Sequence, residues 1–317
     1  MNSKGLTDPS QYFGHRRLMS APVTPVISCA VALIALTMGG LPGSTKPAQA
    51  WPGMPARRQA RSTGSTAAPS APQRIDAQTK RLPRGIRCLL VAYSHFLCGA
   101  DSNHLIWCDG TKMRYDDGRA KTPAQQLDQP DLQDQMAKRY PPGGPCDQSP
   151  PAGQDPGRVR YAPLFMKMYG ATKRQVKAHL RRVHWTASRR PAALLFTSVN
   201  GASRHLERVS KRLARLPTSV RRVLARRPST FTWRRIKGTK RLSPHSFGIA
   251  IDVAVARSHY WRWDLHGPLR RLRYRHRMPA RIVRIFESEG FIWGGRWHHY
   301  DTMHFEYRPE LLACSAH

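Results

Sequence analysis

The sequence predicts an α+β fold, a small antiparallel sheet with helices packed on it. Three observations predict it. Apolar residues recur at helical spacing through the middle of the chain, and short β-branched or aromatic runs gather in the last third. The two kinds of segment do not alternate as βαβ units would.

The helical signals come first in chain order. Thr172 with Gln175 reads as a capping box, with Val176, Leu180 and Val183 following on one expected helical face. Asn200-Gly201 marks a turn, after which Leu206, Val209, Leu213 and Leu216 stripe a second helix that Pro217 ends. Pro279 opens a third, which turns Ile282, Val283 and Phe286 inward and stops at Gly290. These stripes are core packing and carry no chemistry. Three strands are expected: Ile249 to Val255, Phe291-Ile292-Trp293, and Met303 to Tyr307.

The N-terminus addresses location. Arg16 and Arg17 precede an apolar run from Val26 to Met38, the length of a signal-peptide core and too short to span a bilayer. Ala48-Gln49-Ala50 has the A-x-A form of a cleavage site. The expected organisation is therefore a signal peptide (1–50) and a flexible linker (51–83). An N-terminal helical or accessory region (84–229) and a C-terminal core (230–317) follow. The mature protein is expected to be periplasmic or secreted. Cleavage leaves Cys88, Cys98, Cys108, Cys146 and Cys314, enough for one or two disulfides with one thiol over.

The chain has 53 Lys+Arg against 19 Asp+Glu, a formal net charge of +34. Such a surface attracts polyanions. Most of the basic residues are arginines, however, as a GC-rich coding sequence would also produce, so charge alone decides nothing. No helix-turn-helix, zinc-finger or RNP-like pattern accompanies it, which argues against specific nucleic-acid recognition.

Two clusters carry chemistry. In Ser243-Pro244-His245-Ser246-Phe247-Gly248-Ile249-Ala250-Ile251-Asp252, a His in a turn precedes an Asp on a strand. In Asp301-Thr302-Met303-His304-Phe305-Glu306-Tyr307, period-two alternation puts His304 and Glu306 on one side and Met303, Phe305 and Tyr307 on the other. Two imidazoles and a carboxylate are a normal zinc donor set, and three protein ligands with an open position mark a catalytic site. Such an ion acidifies water, and a nearby carboxylate takes the proton. Asp301 is the natural base and Glu306 its competitor. A buried Asp on an apolar strand needs a positive partner in any case, and one of the many arginines would also serve Asp252.

The S-x-H-x-x-G-x-A-x-D run, followed by Gly290-Phe291-Ile292-Trp293-Gly294-Gly295-Arg296-Trp297 and then Asp301 to Glu306, resembles the VanY-type zinc D-alanyl-D-alanine carboxypeptidases. It also resembles their relatives, the L-alanyl-D-glutamate endopeptidases. The resemblance covers about residues 230 to 312 and implies a hedgehog/DD-peptidase-like fold binding one zinc ion. It implies His245, Asp252 and His304 as metal ligands and Asp301 as base. An Asp at that place sides with the endopeptidase-like branch. Arg234 best matches the family's substrate-contacting arginine, with Arg235 beside it as a rival. Ser243 and Glu306 would support the ligands. The implied partner is the peptidoglycan stem peptide; the basic charge suits attraction to anionic wall polymer or lipopolysaccharide, and the protein is expected to be a monomer. A D-Ala-D-Ala carboxypeptidase and a non-catalytic module binding the anionic wall remain the alternatives.

Overall fold

The computed structural model describes residues 80–313 and 315. The expected signal peptide, and the expected linker up to residue 79, lie outside the described residues. Helix α1 (Arg84–Ala92) leads into an antiparallel meander of β1 (Leu97–Ala100), β2 (His104–Trp107) and β3 (Lys112–Arg114). Helices α2 (Pro123–Asp128), α3 (Leu132–Ala137), α4 (Ala162–Tyr169) and α5 (Lys173–His179) follow. They lead to the hairpin β4 (Leu180–Trp185) and β5 (Ala192–Thr197), then to α6 (Ala202–Ala214) and α7 (Thr218–Arg221). The last third holds β6 (Ala250–Asp252), α8 (Trp261–Asp264), α9 (Ala280–Glu287), β7 (Phe291–Trp293), β8 (His304–Tyr307) and α10 (Pro309–Ala313). The chain is α+β, and residues 84–229 contribute five strands as well as helices.

Local chemistry accounts for most of the ends. The capping box forms as expected: Thr172 Oγ1 accepts from the Gln175 N–H, and the Gln175 side chain accepts from the Thr172 N–H. The helix it opens is one turn shorter than the apolar spacing suggests. Leu180 and Val183 belong to β4, where the six-residue pairing with β5 outweighs the helical pattern. The helices expected after Asn200-Gly201 and Pro279 both form and bury the expected residues, except that Leu216 lies just past the end of α6. The strand expected from Ile249 to Val255 contracts to three residues, because Ala254 turns left-handed with φ 59°.

The sheet that matters for chemistry has the order β6-β8-β7, antiparallel throughout. Its central strand alternates as the sequence predicts. Phe305 stacks on Phe286 of α9 with ring centroids 3.9 Å apart, and Phe291 meets Phe286 edge-on. Fully burying each such ring is worth about 1.5–3 kcal/mol. His304 and Glu306 point to the opposite side. A Cys98–Cys108 disulfide closes the first hairpin, and Cys146 is a buried free thiol.

Candidate metal centre

Strand register assembles half of the centre. β6 and β8 pair Ala250 with Glu306, Ile251 with Phe305 and Asp252 with His304. Directly opposed residues share a face, so Asp252 Oδ1 comes within 3.0 Å of His304 Nδ1. His245 arrives from a single 3-10 turn, Pro244–Phe247, whose start is capped by Ser243 Oγ accepting from the His245 N–H at 3.4 Å. Gly248 ends that turn at φ 68°, and a Cβ there would fall 2.6 Å from Leu180 Cδ2. Only glycine lets the His245 loop turn straight into β6. One ligand atom from each of His245, Asp252 and His304 then lies within 4.8 Å of the others.

The donor set fits a cation. His245 Nδ1 sits 2.7 Å from the Thr230 carbonyl, so Nδ1 carries the proton and donates, leaving the Nε2 lone pair free. Nε2 is buried and makes no hydrogen bond among the described residues, although Asp252 Oδ2 is only 3.2 Å away. Two ligand atoms that approach without bonding each other are arranged as they would be around a shared ion. His304 is organised in the opposite sense: Nδ1 faces Asp252, while Nε2 lies 3.4 Å from Glu306 Oε2. Burial alone would raise the Asp252 carboxyl, but the two imidazoles outweigh it and hold the group far below the usual range. Burial would lower His304, and the facing carboxylates instead push it up to about 10.

Glu306 is fully buried and already committed. Arg160 grips it through Nε at 2.9 Å and Nη2 at 2.6 Å, and Arg308 Nη1 adds a contact at 3.2 Å. Burial raises this carboxyl, yet Arg160 chiefly, with His304 and Arg308, drives it well below the ordinary range. It orients His304 and is a poor proton acceptor. Asp301 differs. Its Oδ1 is buried with no hydrogen-bond partner among the described residues. Burial first, and Asp252 against the pull of His304, His245 and Arg158, push it up to about 6. A carboxyl poised there can both take and return a proton near neutrality. Its backbone N–H donates to the Gly294 carbonyl at 3.0 Å, and a Cβ on Gly294 would lie 2.5 Å from the Asp301 carbonyl.

Arg234 stands apart from this group. Ser246 Oγ binds both its N–H and its carbonyl, but the Arg234 side chain is exposed and makes no hydrogen bond or ion pair among the described residues. A different element lines the centre, residues 154–160, to which sequence reasoning assigned no part in the site. Gln154 O accepts from His298 N at 2.8 Å, and Asp155 takes the His299 N–H at 2.9 Å and faces its Nδ1 at 2.7 Å. Pro156 O accepts from Trp297 Nε1 at 2.6 Å, Gly157 O from Arg308 at 3.0 Å, and Arg160 holds Glu306. Arg158 is paired with Asp155 at 3.4 Å and lowers Asp301 from a distance. The contacts to residues 297–308 span more than 140 residues of sequence, so no local signal could have revealed them.

The comparisons with known proteins bear on the same stretch. Residues 237–307 match the M15 peptidase family model described as D-alanyl-D-alanine carboxypeptidase. The VanY-type resemblance is borne out. This matched segment contains His245, Asp252, Asp301, His304 and Glu306, and it begins after Arg234. Comparison with curated proteins and with solved structures finds no match. The M15-type segment is therefore peptidase-like in sequence and α+β in fold, with a His/Asp/His group able to hold a metal ion.

Proposed function

We propose that the protein is an exported zinc metallopeptidase that hydrolyses peptide bonds in peptidoglycan stem peptides, in the manner of an L-Ala-D-Glu endopeptidase. The observation that carries this reading is the juxtaposition of the His245–Asp252–His304 group with Asp301, whose Oδ1 is buried with no hydrogen-bond partner among the described residues. Zinc held by His245 Nε2, Asp252 and His304 Nδ1 would supply Lewis acidity, polarising the scissile carbonyl and acidifying water. Asp301 accepts a proton from the attacking water as its oxygen bonds the carbonyl carbon. The C–N bond then breaks, and Asp301 returns the proton to the departing amine nitrogen. Glu306 and the Thr230 carbonyl keep the two imidazoles in the tautomers that point lone pairs inward. Arg234, exposed at the edge of the His245 loop, is the proposed contact for the substrate. The Cys98–Cys108 disulfide supports an oxidising, extracytoplasmic location.

A D,D-carboxypeptidase is the second reading, favoured by the description of the matching family model. Digestion of purified muropeptides, with products weighed by mass spectrometry, separates the two. Loss of terminal D-Ala supports the second, and scission between L-Ala and D-Glu supports the first. If neither product forms with zinc supplied, and chelation changes nothing, the enzyme reading fails and a wall-binding module remains.

A further inference from the structure

The far side of the catalytic sheet has its own charged surface. Ile282, Val283 and Phe286 of α9 turn inward, and Phe286 stacks on Phe305. Arg281 and Arg284 therefore face solvent on the outer side of α9, with the sheet between them and His304. Beside them runs α6, and between the two helices opens a cavity of about 400 Å³ lined by Arg212, Arg215, Arg281, Arg284, Leu216 and Ile285.

Four guanidinium groups around one opening repel one another unless anions balance them. The acid that pairs with Arg212, Glu289, is already shared by Arg208 at 2.8 Å, Arg212 at 3.1 Å and His205 at 3.3 Å. Arg215, Arg281 and Arg284 make no ion pair among the described residues and are exposed. Guanidinium forks match phosphate oxygens two at a time, and several along a trough match a chain of phosphates. Among the described residues no aromatic side chain lines the cavity, so it lacks the stacking platform on which single-stranded nucleic acids depend.

We propose that the cavity between α6 and α9 is a docking site for a linear phosphodiester polymer without bases, of the polyol-phosphate kind. Because it lies on the opposite side of the sheet from His245, Asp252 and His304, the polymer holds the protein while leaving the metal centre open. Its value to a wall hydrolase rests on the peptidase reading; the binding itself does not.

The experiment measures binding of end-labelled poly(glycerol phosphate) to the full chain by fluorescence anisotropy across a salt series. The triple variant Arg215→Gln/Arg281→Gln/Arg284→Gln is compared with Lys173→Gln/Arg174→Gln/Arg182→Gln, which removes the same charge from exposed positions elsewhere. Loss of three phosphate contacts should weaken binding by roughly 10-fold or more and flatten the log–log salt slope by about 2, with the control near wild type. Equal loss in both variants would mean diffuse charge and overturns the site. Tighter binding of a single-stranded oligonucleotide of matched charge would overturn the choice of polymer. Zinc binding and hydrolysis are measured in parallel, since their failure condemns the peptidase reading and leaves this one standing.

Discussion

Asp252 and His304 stand directly opposite each other on neighbouring antiparallel strands, with Oδ1 and Nδ1 3.0 Å apart. Strand side chains alternate, so a slip of one residue would bring Phe305 into the centre and send His304 into the aromatic layer under α9. The stack of Phe305 on Phe286 therefore does more than stabilise the core: it locks the register that joins two of the three metal-binding groups.

Glu306 acts on the metal through His304. Glu306→Gln should lower zinc affinity by roughly 10–100-fold, as loss of a ligand's supporting carboxylate does. It also removes the countercharge of the buried Arg308 and the partly buried Arg160, at a cost to stability of about 3–5 kcal/mol. Competition titration with a zinc indicator, alongside denaturant unfolding, reads both. Unchanged zinc affinity in a folded variant would refute the role assigned to Glu306.

Asp301 should separate chemistry from binding. Asp301→Asn is expected to retain zinc and to lower kcat by roughly 10²–10⁴-fold. Metal content by mass spectrometry and single-turnover cleavage of muropeptides check this pair of outcomes. A variant with full activity would remove Asp301 from the mechanism.

Gly294 holds Asp301 by leaving no atom in its way. Gly294→Ala drives a methyl group against the Asp301 carbonyl, 2.5 Å from where its Cβ would sit. The strain should cost about 1–3 kcal/mol of stability. Displacing the base by about an ångström should cost on the order of 10²-fold in rate, with zinc retained. A crystal structure of the variant showing Asp301 unmoved, at wild-type rate, would contradict the argument.

A second acidic group, Asp116, Asp117 and Asp131, resembles a cation site, but an ammonium is already there. Lys121 Nζ, on a side chain only 1% exposed, lies 2.9 Å from Asp117 and 2.8 Å from both Asp131 and Asp134. Burial raises the Asp131 carboxyl, while the Asp134 N–H and Lys121 more than offset it and lower it to about 2. A carboxyl lowered on folding stabilises above its unfolded value near 4 and loses that contribution as pH falls toward 2. Thermal unfolding between pH 5 and pH 2 should therefore fall more steeply for the wild type than for Lys121→Gln. Parallel curves would show that this cluster contributes nothing.

Much of the centre was legible in the linear chain because its residues lie in two short motifs. His245 and Asp252 are separated by one turn and part of a strand, and His304 and Glu306 by one strand period. Local geometry at that scale follows from residue type, as do the capping box at Thr172 and the helix opened by Pro279. Where the reading failed, tertiary context won: pairing with β5 drew Leu180 and Val183 out of a helix, and Ala254 cut β6 short.

By itself, the sequence determined the donor types, their spacing, the alternation of β8 and the surplus of positive charge. Only the tertiary structure decided which carboxylate is spoken for and which is free. That choice depends on Arg160 and Arg308 reaching Glu306 while Asp301 Oδ1 is buried with no hydrogen-bond partner among the described residues, and on residues 154–160 closing over one side of the centre. Ionisation inside a protein is set by the charges and desolvation around a group, and those neighbours come from distant parts of the chain that only folding brings together.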